Sequence, residues 1–321
     1  MSGFEHASVL VDEVLEHLSP RNDGTYVDCT LGGGGHSAAI LKASQAQIIG
    51  IDRDPTALQA AETRLAEFAP RARMVHGEFG DVASVLADLG IDQVDGFVAD
   101  LGVSSPQLDH ADRGFSFSKE GPLDMRMDPS RGQTALELMH TVDVDALADL
   151  IFEFGEERHS RKIARLIKEA IRQDQLRTTS ELAAVVAKGI PPAEQRKSKI
   201  HPATRTFQAL RIAVNRELDQ LDSFLAGFPS LLKPGGRCVV ISFHSLEDRL
   251  VKNRFRDLSW TSSLPPHLAQ QAGERVLAVC EPVTRKAVFA SDAETARNPR
   301  ARSARLRACE RTGAPNLPSH R

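Results

Sequence analysis

The sequence predicts an α/β protein built on a doubly wound parallel sheet, with a helical segment inserted into it. Three observations carry that expectation. Short apolar runs alternate with helical periods from residue 25 to 101; Asp52 and Asp100 close strands at whose ends ligands of such sheets collect; and the alternation stops for about a hundred residues before resuming near Leu231. With 321 residues, 41% apolar and 26% charged, the chain can build a sizeable core, and disorder is excluded. No apolar run approaches the roughly twenty residues of a membrane span, and the first eighteen residues lack the basic start of a secretory signal. Cys29, Cys238, Cys280 and Cys309 lie far apart, which supports neither a disulfide framework nor a zinc site and suits a reducing cytoplasm. No metal is expected.

Tyr26-Val27-Asp28 reads as a strand, followed by four consecutive glycines, Gly32 to Gly35, and a helix from His36 to Leu41. Ile48 to Ile51 is a second strand, closed by Asp52. Asp54 then caps a helix whose first turn holds Pro55, and Leu58, Ala61, Leu65 and Phe68 give it an apolar stripe. A strand over Ala72–His76, a helix over Val82–Leu89 and a strand over Gly96–Ala99, ended by Asp100, complete the first half. Residues 109–128 read as a loop. Helices follow over 143–154, 158–171 and 180–188, the last opened by a capping box of Thr178 and Glu181. One long helix is expected next, because Phe207, Leu210, Val214, Leu218, Leu221, Leu225 and Phe228 keep helical spacing throughout. The turn Lys233-Pro234-Gly235-Gly236 leads into a strand over 237–243, then a helix over 245–255 and a last strand over 304–308. The domains expected are a core over 1–107 and 206–321 and an inserted helical substrate-recognition domain over 108–205.

The net charge of −3 hides an asymmetry. Residues 1–100 hold 6 basic and 16 acidic side chains, whereas Gln195 to Arg216 contains six basic residues and no acid, and the tail from Arg297 holds seven arginines against Glu310. Local basic patches on an otherwise acidic chain suit a polyanionic partner, and equally a solvated face.

Glycines between a strand and a helix permit close approach of a ligand, and a carboxylate at the second strand's end, twenty residues beyond Gly32, is placed to accept ribose hydroxyls. Together they point to an adenosine-bearing cofactor. A tight turn and an ordinary helix cap are the plainer alternatives. The pyrophosphate pattern G-x-G-x-x-G is absent.

Eight motifs carry a closer resemblance. They are Asp28–Ser37, Asp100–Asp109, Arg113–Phe117, Gly121–Met127, Gly155–Arg158, His201–Arg211, Ile241–Arg249 and Asn298–Ser303. In this order, over about His6 to Arg311, they resemble the bacterial 16S rRNA (cytosine-N4)-methyltransferase family, RsmH/MraW. The resemblance implies a class I S-adenosylmethionine-dependent fold, and methyl transfer to the exocyclic N4 of a decoding-centre cytidine in 16S rRNA of the small ribosomal subunit. It implies S-adenosyl-L-methionine as cofactor, a cytoplasmic enzyme, and no membrane or DNA partner. Carried over by position, the cofactor contacts would be Gly34, Gly35, His36, Asp52, Phe79, Asp100 and Gln107. Phe79 read alone is as well a core residue.

An exocyclic amine conjugated to its ring is a poor nucleophile, so acceptors on its N–H groups are needed to favour attack. Asp100, Ser104, Ser105 and Pro106 are the catalytic candidates, since Ser104-Ser105-Pro106-Gln107 is similar to the loop that amino-methyltransferases of DNA carry after the fourth strand. It departs from that loop in having one proline and no aromatic at the fourth place, so a stacking ring would have to come from Phe115 or Phe117. A plain turn is the alternative. For substrate, Asp124, Arg126, Arg205, Arg211, Asn215 and His244 are candidates, with Arg205 and Arg211 on phosphates. Thr204, Gln208, Arg211 and Asn215 form a polar stripe that reads equally as a solvent face, and His244 as a structural histidine. Few aromatics, 5%, favour a pocket for one extruded base over an open stacking platform. A nicotinamide-dependent oxidoreductase would share the glycines and Asp52 but not the Lys233–Gly236 turn. A non-catalytic RNA-binding assembly factor would leave Asp100 to Gln107 without a role.

Overall fold

The computed structural model describes residues 8–198, 200–259, 268, 271–272 and 278–315. Lys199 of the basic stretch, most of the motif-poor region 259–273, and Arg321 of the tail lie outside the described residues. The chain divides into a sheet unit, Met1–Gly102 with Leu218–Arg321, and a helical unit, Val103–Glu217. The insertion therefore extends beyond the 108–205 expected from sequence, and the core boundaries shift correspondingly from 107 and 206.

In the sheet unit, seven strands lie in the order β3-β2-β1-β4-β5-β7-β6. They are β1 (Thr25–Asp28), β2 (Gln47–Asp52), β3 (Ala72–His76), β4 (Val94–Asp100), β5 (Leu232–Ser242), β6 (Cys280–Pro282) and β7 (Arg305–Arg311). β1 to β5 are parallel, as alternation with helices requires. β7 runs antiparallel to β5, and β6 antiparallel to β7, so the sheet is mixed rather than wholly parallel. Both faces are covered because neighbouring residues of each strand serve opposite cores. Val27, Ile49, Phe97 and Val240 join one cluster, while Tyr26, Ile48, Val98 and Val239 join the other. The first face is packed by α4 (Val82–Asp88), α12 (Glu217–Leu231) and α13 (Ser245–Leu258), through Leu86, Phe224, Phe228 and Phe255. The second is packed by α1 (Val11–Leu18), α2 (Gly35–Ala43) and α3 (Pro55–Leu65), through Leu18, Ile40, Leu41 and Leu65.

Local chemistry fixes several junctions. Asp54 Oδ1 accepts the Thr56 N–H at 3.0 Å and Pro55 opens α3, as the sequence predicts. Lys233, at the start of β5, where the sequence predicts a turn, donates to Asp95 Oδ2 at 2.8 Å, and Asp95 also accepts from the Thr25 N–H at 2.9 Å and Arg21 at 3.0 Å. Burial alone would raise the Asp95 carboxyl, yet Lys233 foremost, with these other donors, holds it below its usual value.

The helical unit holds α5 (Ser105–Asp109), α6 (Ala135–Thr141), α7 (Val144–Gly155), α8 (Ser160–Arg172), α9 (Thr179–Gly189), α10 (Pro192–Lys197) and α11 (Thr204–Asn215). α7 packs on α8 and α11, and α8 on α9, around Leu147, Ile151, Ile163, Ile167, Leu182, Phe207 and Leu210. The capping box of Thr178 and Glu181 opens α9. Ser104–Gln107 is not a loop: Ser104 caps α5, its Oγ accepting the Gln107 N–H at 3.4 Å while Gln107 Oε1 accepts the Ser104 N–H at 3.0 Å.

The single long helix expected from 207 to 228 is two helices, broken at Arg216, whose φ is +50°. The stripe runs on in phase, but its halves serve different cores: Phe207 and Leu210 that of the helical unit, Leu221 and Phe228 that of the sheet unit. The break follows from Asn215, a buried C-terminal residue of α11. Its Oδ1 accepts the Met127 N–H at 2.7 Å, and its Nδ2 donates to Met125 O at 2.8 Å and Arg211 O at 2.9 Å. Met125, fully buried at φ +63°, is thereby held in a conformation a side chain resists. Asn215→Ala removes these bonds and leaves two buried backbone groups unpaired, so it should destabilise the helical unit by about 2–3 kcal/mol. Denaturant titration, with hydrogen exchange at residues 122–130, checks this; unchanged midpoint and protection would refute the role given to Asn215.

Candidate cofactor site

The strand order reverses between β1 and β4, and three carboxylates close the strands there: Asp28 on β1, Asp52 on β2 and Asp100 on β4. Asp100 is tied to β1 by its N–H, which donates to Thr30 Oγ1 at 2.6 Å. Asp28 is buried and accepts from Ser37 Oγ at 2.7 Å and the Thr30 N–H at 3.3 Å. Burial raises its pKa, opposed by His36 and those donors. Asp52 accepts the Gly32 N–H at 2.7 Å and the Asp54 N–H at 2.8 Å, and so links the glycine run to the end of β2. Burial outweighs both donors and pushes Asp52 up to about 6.

His36 is 4% exposed, with Nε2 3.4 Å from Asp100 Oδ2. Neither ring nitrogen makes a well-formed hydrogen bond among the described residues, and neither does Asp100 Oδ1. Burial would discharge the imidazole, but Asp100, then Asp28, raises its pKa above that of a free histidine. Asp28 and Asp100 thus share the His36 imidazole, and Asp100 keeps an oxygen with no hydrogen-bond partner among the described residues.

Two of the glycines also have a reason within the chain. Gly34 sits at φ +75°, a conformation that favours glycine, and a Cβ on Gly35 would lie 1.8 Å from Ser8 Oγ. What the run leaves is the start of α2 with no side-chain cap, whose first-turn N–H groups suit a carboxylate. An adenosine cofactor bearing a sulfonium, an ammonium and a carboxylate fits this donor set: acids for the cations and hydroxyls, helix N-terminus for the anion. Phe79 is half-buried, edge-on to Phe224 at 6.0 Å, and so belongs to the first core's rim after β3.

In the helical unit, Gln107 and Ser105 are buried in the first turn of α5, and Pro106 follows Ser105 there. Phe115 is a core residue, and Phe117 packs against His201 at 4.5 Å and Phe207 at 4.9 Å. Several proposed substrate residues have internal partners. Arg126 grips Asp124 through Nε at 2.7 Å and Nη2 at 2.8 Å; burial would raise the Asp124 carboxyl, but Arg126 holds it below its usual value. Arg211 makes two 2.8 Å bonds to Glu217, which accounts for a guanidinium expected on phosphate. Gln208 Nε2 donates to Phe154 O at 3.0 Å and Asn215 is buried, while Thr204, Gln208 and Arg211 of the polar stripe stay half-buried. Arg205 stays exposed, its Nη1 on Glu156 O at 3.1 Å. In the sheet unit His244 caps α13, with Nδ1 accepting the Glu247 N–H at 3.4 Å and Nε2 3.1 Å from Glu247 Oε1.

Sequence reasoning did not single out Asp28, Thr30 or Ser37. The signal was available: Asp28 closes an apolar strand just as Asp52 and Asp100 do.

No helix of the described residues is long and apolar enough to cross a membrane. The sequence matches the MraW methylase family over residues 3–312. A ribosomal RNA small subunit methyltransferase H of Sorangium cellulosum is 52% identical over 311 residues, covering 97% of this chain and 92% of the relative. Proteins of the same description from Anaeromyxobacter sp. (strain K) and Citrifermentans bemidjiense are 53% and 50% identical, over 96% and 97% of this chain and 98% and 100% of theirs. The sheet with its three strand-end acids and the helical unit that interrupts it both fall inside this match, and the chain belongs to the MraW methylase family, enzymes that take their methyl group from S-adenosylmethionine.

Proposed function

We propose that this enzyme methylates the exocyclic N4 of a decoding-centre cytidine in 16S rRNA of the small ribosomal subunit, in the cytoplasm. The relatives' description supports the RNA class. The observation that carries the chemistry is Asp100 Oδ1, a buried acceptor at the switch point with no hydrogen-bond partner among the described residues.

The donor supplies an electrophilic methyl on a sulfonium. The remaining work belongs to this chain. Gly34, Gly35, His36, Asp52, Phe79, Asp100 and Gln107 would hold the cofactor, with Asp52 on the ribose hydroxyls and His36 orienting Asp100. The amine nitrogen must give up conjugation with its ring, and an acceptor on its N–H groups stabilises the geometry and the charge that develops. No strong base is needed, because the N–H becomes acidic once nitrogen carries the methyl. Asp100 and the α5 start, Ser104 to Pro106, supply the candidate acceptors. Within a helical turn the carbonyls point along the axis away from the N-terminus, so at Ser105 the hydroxyl is the better placed oxygen. Arg205 would serve phosphate; Asp124, Arg126, Arg211, Asn215 and His244 would act on substrate only by shaping backbone.

Mass-spectrometric mapping of small-subunit rRNA after incubation with enzyme and methyl-labelled S-adenosylmethionine tests the assignment. An N4-methylcytidine at one decoding-centre position is expected; label elsewhere, or none, would overturn it. In single-turnover transfer, Asp100→Asn should slow the step at least a hundredfold, about 2.7 kcal/mol, and Ser105→Ala about tenfold, about 1.4 kcal/mol. Wild-type rates in both would remove the β4 end from the transfer step. Asp52, at about 6 without cofactor, must be ionised to accept hydroxyls, so affinity should rise about tenfold from pH 5 to 7 and then level. Calorimetry on wild type and Asp52→Asn checks this, since only the rise belonging to Asp52 disappears in the variant; parallel profiles would contradict it.

A further inference from the structure

The helical unit carries a concave basic surface that the reading above does not use. Two adjoining cavities, of about 200 and 410 Å³, share Arg158 and His159 where α7 passes to α8. The larger is lined by Arg158, Arg161, Lys162 and Arg165 against one carboxylate, Asp149. Arg161 comes only to 3.9 Å from Asp145 and 4.0 Å from Asp149, all three largely exposed, so water competes for every one of these charges. Arg158 and Lys162 make no ion pair among the described residues. At the edge stands Phe152, 56% exposed in a chain whose other phenylalanines mostly pack inward. The smaller cavity continues the surface to Arg205 and His201; Glu157 and Glu194 also line it, Glu194 at 3.0 Å from His159, so the excess of basic charge lies in the larger one.

We infer that this surface, from Arg165 through Arg158 to Arg205, grips unpaired small-subunit RNA, the cations on successive phosphates and Phe152 against a base. Sign, concavity and an accessible ring together select this partner. Phosphate neutralisation supplies affinity, and a flat apolar face receives any base without sequence preference. A duplex would leave the ring idle, since its bases are stacked on one another. The inference rests on the RNA substrate proposed above and assigns how that substrate is held away from the reacting base.

The test uses Arg161→Gln/Lys162→Gln/Arg165→Gln together and Phe152→Ser alone, all surface changes that leave the strand-end carboxylates untouched. Binding to protein-free small-subunit rRNA and to assembled subunits is measured over a range of salt. The triple variant should lower the steepness of log affinity against log salt by about 2, at about 0.7 per lost phosphate contact on single strands. Phe152→Ser should weaken binding about tenfold with the salt slope unchanged. Transfer at saturating RNA and cofactor affinity should match wild type. An unchanged slope in the triple variant overturns the inference. So does a loss confined to assembled subunits, which would mark a protein partner. Wild-type enzyme that binds RNA steeply yet methylates none would defeat the proposed function while leaving this surface standing.

Discussion

The ends of β1, β2 and β4 carry three carboxylates, and the buried imidazole of His36 stands against the one on β4. Carboxylates collected in this way lose water and, to a lesser degree, repel one another, which is why Asp28 and Asp52 are both raised. The surrounding chain is arranged to tolerate two of them: Ser37 donates to Asp28, and the Gly32 and Asp54 amides donate to Asp52. None of these donors satisfies Asp100 Oδ1. A cationic cofactor held at these residues, as we propose, would relieve the charge collected there. The glycine run serves the same arrangement from beneath, by fitting α2 against Ser8 tightly enough to set His36 beside Asp100.

Charge is used oppositely in the helical unit. Arg126, Arg211 and Asp124 are held in short two-point pairs that fix the 113–127 segment and the end of α11, and they are rigid for that reason. Arg158, Arg161, Lys162 and Arg165 are exposed and loosely held, so they remain available to a polyanion. A basic residue count over Gln195–Arg216 does not distinguish the two populations, because the distinction lies in whether a carboxylate from elsewhere in the chain reaches the guanidinium.

Much of the fold was legible where the cause is local. The Asp54-Pro55 start of α3, the Thr178/Glu181 box and the Ala72–His76 strand follow from side chains within a few residues. What was not legible was decided at a distance. The stripe from Phe207 to Phe228 is periodic across Arg216, and the break coincides with the bonds of Asn215 to residues 125 and 127. Orientation of β7 against β5 leaves no mark on an apolar alternation, and the three residues of β6 are too few to show one. At the site, Asp52 and Asp100 could be found from strand ends, and Asp28 by the same rule. The short helix at Ser105 was hidden by reading Ser-Pro as a turn, when the serine before it is a cap and Gln107 closes the box.

The position of the insertion has a consequence for assembly. β4 finds its neighbour β5 only after the whole of Val103–Glu217 has been made, so one edge of the central strand stays unpaired during synthesis. The helices between them contact partners close in sequence, α7 with α8 and α8 with α9, and such low-contact-order pairs form early. The helical unit is thus ready to fold while the core is still open, and the sheet closes last, as β5 pairs with the waiting β4 and β7 then pairs with β5. An enzyme assembled in that order makes the strands that carry Asp28, Asp52 and Asp100 first, and gives β4 its second neighbour only after the whole helical unit has been made.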